Sequence, residues 1–226
     1  LRRLLGVGKS YFIKKVSVIS DVEVSHTGYS RTSKVQSFSF PYKGTKITLV
    51  DTPGYGDPME RNYEALEEIS AWTSSAYRQR RLLSGIICLY NIRWTNVDTW
   101  AARHLMMFQK LCGPSALQNV LLTTTQWPNA NLAEGESKED RIRNDSHWRA
   151  LVTGGAAIKR FMGTRESGLE LIDQLMQKEP KPFLIQHQIV DKNMTLEEAD
   201  VGKYMNHGGY RNVGGYRNVG RYKSGN

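Results

Sequence analysis

Two short, almost uninterrupted apolar segments constrain the fold of this chain more than any other feature of its sequence. They are GIICLYNI (residues 85–92) and NVLLTTT (residues 119–125), and neither alternates regularly between apolar and polar side chains. A strand of this composition is covered on both faces, as the central strands of a parallel sheet are. Helical patterns fill the segments around them, so we expect an α/β fold with a mostly parallel sheet.

Further strands and helices are predicted around these two segments. KVQSFSF (34–40) alternates in polarity and TKITLV (45–50) follows it across a short turn, so the two are expected to form an antiparallel pair. AIKRFMG (157–163) is a shorter strand, and helical patterns cover residues 11–19, 60–82, 99–111, 138–151 and 167–176. This alternation predicts a layered α/β domain that binds ligands at the carboxyl ends of its strands.

The net charge of +9 is confined to the two ends of the chain. Residues 1–18 and 203–226 each carry five basic residues and no acidic one, whereas the residues between them hold 21 Lys and Arg against 22 Asp and Glu. This balance gives the domain no basic surface, so nucleic acid is not an expected partner. The chain ends in a Gly-, Tyr- and Arg-rich repeat of GGYRNV. We expect a domain over residues 1–195 and a flexible tail over 196–226.

The composition also bears on the compartment. No apolar run approaches the roughly 20 residues of a membrane-spanning helix, and the sequence opens without a secretory signal pattern. The two cysteines, Cys88 and Cys112, stand in apolar contexts, which favours buried free thiols in a reducing compartment. We therefore expect a cytoplasmic protein without a membrane span.

The segment GVGKS (residues 6–10) opens the first predicted helix and has the composition of a phosphate-binding loop. Glycines let backbone N–H groups turn toward a phosphate, and the helix N-terminus adds a favourable dipole. Lys9 would reach the β- and γ-phosphates, and the Ser10 hydroxyl would bind Mg²⁺. The full pattern has a glycine five residues before Gly8, where this chain has Arg3, and only LRRLL precedes the loop. We therefore predict that the first strand is truncated or distorted.

A second motif, DTPGYGD (51–57), ends the strand predicted at 45–50. With the GKS segment about forty residues earlier, it resembles the P-loop and switch motifs of a GTPase. GVGKSYFIKKV, DTPGYGD, GIICLYNI, MFQKLCG, LLTTTQW and RFMGTRES are similar to the septin, immunity-associated and chloroplast-import-receptor group, and within it to fungal G-domain proteins. The resemblance implies a three-layer P-loop G domain that binds GTP or GDP with Mg²⁺ and hydrolyses GTP.

The resemblance also assigns roles to individual residues. The catalytic pair would be Thr32, the switch threonine in YSRTSKVQ, and Gly54, whose N–H would sense the γ-phosphate. Mg²⁺ would be held by Ser10, Thr32 and Asp51. The cofactor-binding residues would be Gly6, Val7, Gly8, Lys9, Ser10, Tyr11, Asp51, Gly54, Thr124, Trp127, Thr164 and Arg165.

Base recognition departs from the pattern of the resembled GTPases. Residues 124–127 (TTQW) stand where those proteins carry Asn/Thr-Lys-x-Asp, so the guanine-reading aspartate is absent. Two roles are open for Trp127. It could stack on the base, which would barely separate guanine from adenine, or it could pack inside the domain. Thr164 and Arg165 in GTRES would contact the base from the next loop.

Hydrolysis is expected to be slow, because Tyr55 stands where small GTPases place a water-positioning glutamine. Proteins of the resembled group pair their G domains, which predicts a homodimer. His26 and Arg31 could contribute across it, or lie in solvated loops. Two other functions stay open: an interaction module with a G-domain fold that binds no nucleotide, and an RNA-associated protein that acts through the Tyr- and Arg-rich tail.

Overall fold

The computed structural model describes residues 7–20, 22, 34–54, 59–94 and 99–206. The strands are β1 (Gln36–Tyr42), β2 (Thr45–Asp51), β3 (Ile86–Asn91), β4 (Val120–Thr125) and β5 (Ala157–Arg160). The helices are α1 (Lys9–Ser17), α2 (Met59–Arg78), α3 (Thr99–Cys112), α4 (Leu132–Asn144), α5 (Ser146–Thr153), α6 (Arg165–Met176), α7 (Leu184–Gln186) and α8 (Asp200–Asn206). Short 3₁₀ helices cover Pro114–Asn119 and Trp127–Asn129, and a π-helical turn covers His187–Asp191. The predicted α/β fold is confirmed.

The strands form two sheets within the described residues. β1 and β2 pair antiparallel, as predicted, and β3, β4 and β5 form a parallel sheet in that order. The carboxyl ends of the three parallel strands therefore lie at one edge, where Asn91 pairs with Thr125 and Thr124 pairs with Arg160. The predicted distortion of a first strand concerns residues before Val7, which lie outside the described part of the chain.

Alternate residues of the central strand β4 enter two separate apolar clusters, which accounts for its unbroken apolar sequence. Val120 and Leu122 pack with the α3 and α5 side chains, in the cluster that also buries Trp148. Leu121 faces the opposite way and packs with α1 and α6, in the cluster that buries Phe161. Helices thus cover both faces of the sheet, which is the three-layer arrangement predicted from the sequence.

The helix predicted over 138–151 is two helices, because Asp145 interrupts it. The Asp145 backbone is extended, and its carboxylate accepts hydrogen bonds from the N–H groups of His147 (2.9 Å) and Trp148 (3.2 Å). An aspartate in this position satisfies free N–H groups at a helix start, so α5 begins where α4 ends.

The ordered domain continues past the predicted boundary at residue 195. Ala199, Val201 and Met205 have no exposed surface and belong to the larger core cluster, and α8 packs against α3. The prediction of a flexible tail is therefore wrong for residues 196–206, because their apolar side chains complete the core. Residues 207–226 lie outside the described part of the chain. Among the described residues, no helix is long and apolar enough to cross a membrane.

Candidate functional site

The loop that precedes α1 has the backbone conformation expected of a phosphate-binding loop. Gly8 is the N-cap of α1 and has a left-handed backbone, with φ of +92°. A Cβ at this position would have no atom within 4 Å, so the requirement for glycine is one of backbone torsion and not of space. Lys9, Ser10 and Tyr11 then form the first turn of α1, and the free N–H groups of this turn favour an anion.

Asp51 meets this turn from the end of β2. The Ser10 hydroxyl donates a 2.7 Å hydrogen bond to Asp51 Oδ2, which joins two motifs that are 41 residues apart. Asp51 is 3% exposed, and Pro53 after it is also buried. The fixed turn of Pro53 directs the chain away from the strand. Hydroxyl and carboxylate oxygens are the ligands that Mg²⁺ prefers, so this donor set fits the predicted metal.

Lys9 adds a half-buried cation to the same place. Burial lowers the pKa of Lys9, while the charges of Asp51 and then Cys88 act in the opposite direction. Burial also raises the pKa of Cys88 to about 11, so this thiol stays neutral near pH 7 and Asp51 is the effective counter-ion. A bound phosphate would stabilise the charged form of Lys9, because burial removes water from this cation and the charge of Asp51 balances it only in part.

Thr125, which was not among the predicted site residues, anchors the loop to the sheet. Its hydroxyl donates to the Val7 carbonyl over 2.9 Å and lies 3.3 Å from the Tyr90 carbonyl. Thr125 is the last residue of β4, so this contact fixes the loop against the carboxyl edge of the parallel sheet. In the sequence, the feature that could have indicated this role is the position of Thr125 at the end of a predicted parallel strand.

Tyr11 connects the first turn of α1 to the segment after β5. Its hydroxyl donates to the Gly163 carbonyl over 3.3 Å, and its ring lies edge-on to Phe161. Gly163 also approaches Pro128, which follows β4. The segments after β4 and β5 therefore lie beside the loop.

Trp127 and Thr124, both predicted to contact the base, are buried and contact each other. Trp127 is 4% exposed, and its indole N–H donates to the Thr124 hydroxyl over 3.0 Å. The Arg160 guanidinium covers the Trp127 ring at 4.2 Å from the ring centroid, and Gly135 lies against its six-membered edge. Thr124 is fully buried and contacts the Lys159 carbonyl. The burial of Trp127 favours its packing alternative, because neighbouring residues already cover its ring.

Glu139, which was also not among the predicted site residues, completes this internal network. Arg160 donates to both carboxylate oxygens of Glu139, at 3.2 and 3.1 Å from Nε and 2.8 Å from Nη2. Burial raises the pKa of Glu139, but hydrogen bonding and charge from Arg160 and then Arg143 outweigh it, and the net pKa is lowered. The same bonds raise the pKa of Arg160.

Thr164 and Arg165 lie at the start of helix α6. Thr164 is the N-cap of α6, and its hydroxyl accepts a 3.2 Å hydrogen bond from the Ser167 N–H. Arg165 donates from Nε to the Val16 carbonyl over 3.3 Å. Val16 lies seven residues beyond Lys9, about 10 Å along the helix. In this structure the side chain of Arg165 therefore reaches the far end of α1, and its predicted contact with a base stays a prediction.

Of the remaining residues that were predicted to act in the site, one lies in a described segment of the chain and the others do not. Gly54 is half-buried directly after Pro53, at the same edge as Asp51. Gly6 and Thr32 lie outside the described residues, as do His26, Arg31 and Tyr55. Their predicted roles stay predictions.

Comparisons with known proteins agree with the geometry of the loop. Residues 4–105 match the family model described as 50S ribosome-binding GTPase. No curated protein matches the chain.

Solved structures of a chloroplast protein share the fold. Toc33 from Arabidopsis thaliana in complex with GDP and Mg²⁺ has 18% identity and a TM-score of 0.58 over 77% of this chain and 82% of that one. A second similar structure comes from the chloroplast translocon components atToc33 and psToc159, for whose GTPase activity dimerization is important. It has 17% identity and a TM-score of 0.61, over 79% of this chain and 82% of that one. Toc33 with Mg²⁺ and GMPPNP has 16% identity and a TM-score of 0.53 over 91% and 81%. The chain therefore has the G-domain fold of the P-loop GTPases.

Proposed function

We propose that this chain binds Mg·GTP and GDP and acts as a slow GTP hydrolase whose switching depends on dimerisation. The observation that supports the proposal best is the Ser10–Asp51 hydrogen bond at the N-terminus of α1. It brings together the hydroxyl and the carboxylate that a magnesium nucleotide requires, beside the half-buried Lys9. The match to a GTPase family over residues 4–105 supports the same assignment.

The roles of these residues follow from their chemistry. The N–H groups of the first turn of α1 and the Lys9 ammonium would bind the β- and γ-phosphates. Ser10 and Asp51 would hold Mg²⁺, which supplies positive charge to the phosphate oxygens when it is bound. Thr125 would keep the loop in this conformation through the Val7 carbonyl.

The proposal also includes dimerisation and slow GTP hydrolysis. Dimerization is important for the GTPase activity of the chloroplast translocon components atToc33 and psToc159, which share this fold. We extend that behaviour to this chain, with His26 and Arg31 as the residues that would act across the dimer. We also propose placement with fungal G-domain proteins and a cytoplasmic location, which the free thiols of Cys88 and Cys112 support.

The direct test is a titration of the protein with Mg²⁺ and a fluorescent GTP analogue. Lys9→Ala is expected to weaken binding by about tenfold to a hundredfold, because a charge-assisted contact with a phosphate contributes about 1.5–3 kcal/mol. Lys14→Ala is the matched control: Lys14 is on the same helix but is exposed and lies in the last turn, away from the loop.

The outcomes separate the proposal from its alternative. Loss of binding in the Lys9 variant alone supports a phosphate site at the start of α1. Equal binding by both variants would place the nucleotide elsewhere. No binding by the folded wild-type chain would leave the interaction module without nucleotide as the better description.

A further inference from the structure

The β1–β2 hairpin carries Asp51 to the proposed metal site, although it is not part of the parallel sheet. Within the described residues, β1 and β2 form a two-stranded sheet that shares no backbone ladder with β3, β4 and β5. Apolar side chains of the hairpin pack into the cluster formed with α1 and α6: Phe38, Phe40, Ile47 and Leu49. A two-stranded sheet is only marginally stable by itself. The position of Asp51 therefore depends on the contacts that hold the hairpin against the domain.

Polar contacts hold the hairpin at both of its ends. At the open end, the Ser10 hydroxyl donates to Asp51 over 2.7 Å. At the turn, the Tyr42 hydroxyl donates to Asp173 Oδ2 over 3.0 Å, and the Lys43 ammonium donates to the same oxygen over 2.8 Å. Asp173 lies in α6, so one carboxylate attaches the turn of the hairpin to the body of the domain.

The backbone of the turn shows that this attachment matters. Lys43 and Gly44 have positive φ angles of +47° and +73°, between the paired residues Tyr42 and Thr45. Two successive positive φ angles are typical of a type I′ turn, which favours Asn, Asp or Gly at its first position. Lysine is therefore held there in an uncommon conformation, and its ion pair with Asp173 helps to stabilise it.

Helix α6 also contacts the helix that presents Ser10. Arg165 of α6 donates from Nε to the Val16 carbonyl of α1 over 3.3 Å. Gly168 lies so close to Val16 that a Cβ at this position would overlap it. Ser10 is in the first turn of α1. The same helix, α6, therefore fixes the hairpin turn on one side and α1 on the other.

The length of the hairpin links its turn to the metal site. Thr45 and Asp51 are the two ends of β2, about 20 Å apart at the usual rise of a strand. A tilt of about 10° around the apolar middle of the hairpin would move each end by about 2 Å. A displacement of this size would break the 2.7 Å hydrogen bond between Ser10 and Asp51. Apolar packing has no preferred direction, so the hydrogen bonds at the two ends resist such a tilt best.

We propose that Asp173 is a positioning residue of the metal site, because it fixes the turn of the hairpin and thereby holds Asp51 against Ser10. The inference rests on the proposed function, since Asp51 has this role only if Mg²⁺ binds beside Ser10. Asp173 acts through the hairpin, from the end of β2 that is remote from the metal site.

The first measurement needs neither nucleotide nor metal. It follows hydrogen–deuterium exchange of the backbone amides of β2 (Thr45–Asp51) in the full chain. Asp173→Ala is expected to speed this exchange by about twofold to fivefold, because loss of an exposed ion pair shifts a local opening equilibrium by about that factor. Alanine favours a helix, so the substitution should leave α6 intact.

The second measurement titrates Mg²⁺ against a fixed amount of a fluorescent GTP analogue. In Asp173→Ala the Mg²⁺ concentration for half-maximal binding is expected to rise by about twofold to fivefold. Affinity for the analogue in EDTA should not change, because Lys9 and the first turn of α1 are unaltered.

Two further variants serve as rescue and control. Asp173→Glu keeps an acceptor and a charge for Tyr42 and Lys43, and it is expected to restore most of both values. Glu170→Gln removes an exposed acid from the same helix and should leave both values unchanged. Among the described residues, the Glu170 carboxylate makes no hydrogen bond or ion pair with the hairpin.

Each outcome bears on the inference. Unchanged exchange in Asp173→Ala overturns the attachment of the hairpin by this residue. Faster exchange with an unchanged Mg²⁺ requirement overturns its link to the metal site, as does an equal loss of affinity in EDTA. The same shifts in Glu170→Gln would reduce the effect to surface charge and overturn it too. Failure of the proposed function has a different signature: the wild-type chain then shows no Mg²⁺-dependent binding, whatever the exchange of β2.

Discussion

Replacing Arg160 with methionine is expected to destabilise the fold more than replacing its partner Glu139 with glutamine. The two side chains share one ion pair with an N–O distance of 2.8 Å, but their environments differ. The Glu139 side chain is 5% exposed and that of Arg160 is 36% exposed. Removal of the arginine leaves a buried carboxylate, whereas removal of the acid leaves a guanidinium that water can reach.

The magnitudes follow from this difference. Breaking a fully buried ion pair by removing one partner costs about 3–5 kcal/mol. Arg160 is partly solvated, and Arg143 stays 3.5 Å from Glu139, so we expect about 2–3 kcal/mol for Arg160→Met. Glutamine keeps one acceptor oxygen for the guanidinium, so Glu139→Gln should cost about 1 kcal/mol. Methionine preserves much of the apolar stem that packs on Trp127, which limits the packing loss.

Urea unfolding monitored by far-ultraviolet circular dichroism measures these free energies. Arg143→Met is the matched control: it removes the second, 49%-exposed partner of Glu139 and should change stability by about 0–1 kcal/mol. The double variant Arg160→Met/Glu139→Gln should lose less than the sum of the single losses, since no buried charge is left. Three results would each refute the reasoning: equal losses of unfolding free energy in the two single variants, a larger loss in Glu139→Gln than in Arg160→Met, or a loss in the double variant equal to their sum.

Two further predictions concern the same edge of the sheet. Thr125→Val removes the hydroxyl that donates to the Val7 carbonyl; it should cost about 1–2 kcal/mol and weaken GTP-analogue binding by several-fold. Thr123→Val is the control, because the Thr123 hydroxyl donates within its own strand, to the Leu121 carbonyl at 3.4 Å; a matching loss of binding there would disprove an anchoring role for Thr125. The second prediction is that acid unfolding depends on Glu139, whose folded pKa lies below its ordinary value of 4.5. Its contribution is present above that value and is lost as the pH falls through the lowered pKa, so the stability difference between wild type and Glu139→Gln should shrink below about pH 4. A stability difference between wild type and Glu139→Gln that stays constant from pH 7 to pH 3 would contradict this prediction.

The fold could be predicted because its main signals are local. A strand covered on both faces needs apolar residues at most positions, and the two segments that show this pattern are β3, at the edge of the described parallel sheet, and β4, at its centre. The division of the helix at Asp145 was also encoded locally, in a side chain able to cap the next helix, but the apolar periodicity continues across it and conceals the break. The packing of α8 was missed because the apolar residues of this short helix are few, and their burial depends on α3, far away in the chain.

The conformation of the loop proposed to bind phosphate and metal was predictable for a related reason. Gly8, Lys9 and Ser10 are required by backbone torsion, charge and oxygen chemistry, all of which can be read from neighbouring residues. Thr125 could not be found in this way, because its contact with Val7 joins residues 118 positions apart. Many buried threonines bond within their own strand, as Thr123 does, so residue type alone does not reveal the anchor.

The burial of Trp127 could not be predicted from the sequence, because it depends on contacts with three separate elements. Arg160 from β5 covers its ring, Thr124 accepts its N–H, and Gly135 in α4 lies against its edge. A Cβ at Gly135 would come within 2.8 Å of the indole, so this helix uses glycine, at a cost of about 1 kcal/mol relative to alanine, to admit the ring. A residue that requires such an accommodation inside a helix has a structural role. With Trp127 inside the domain, the neighbouring Gln126 is left at the surface of the same turn, next to the loop.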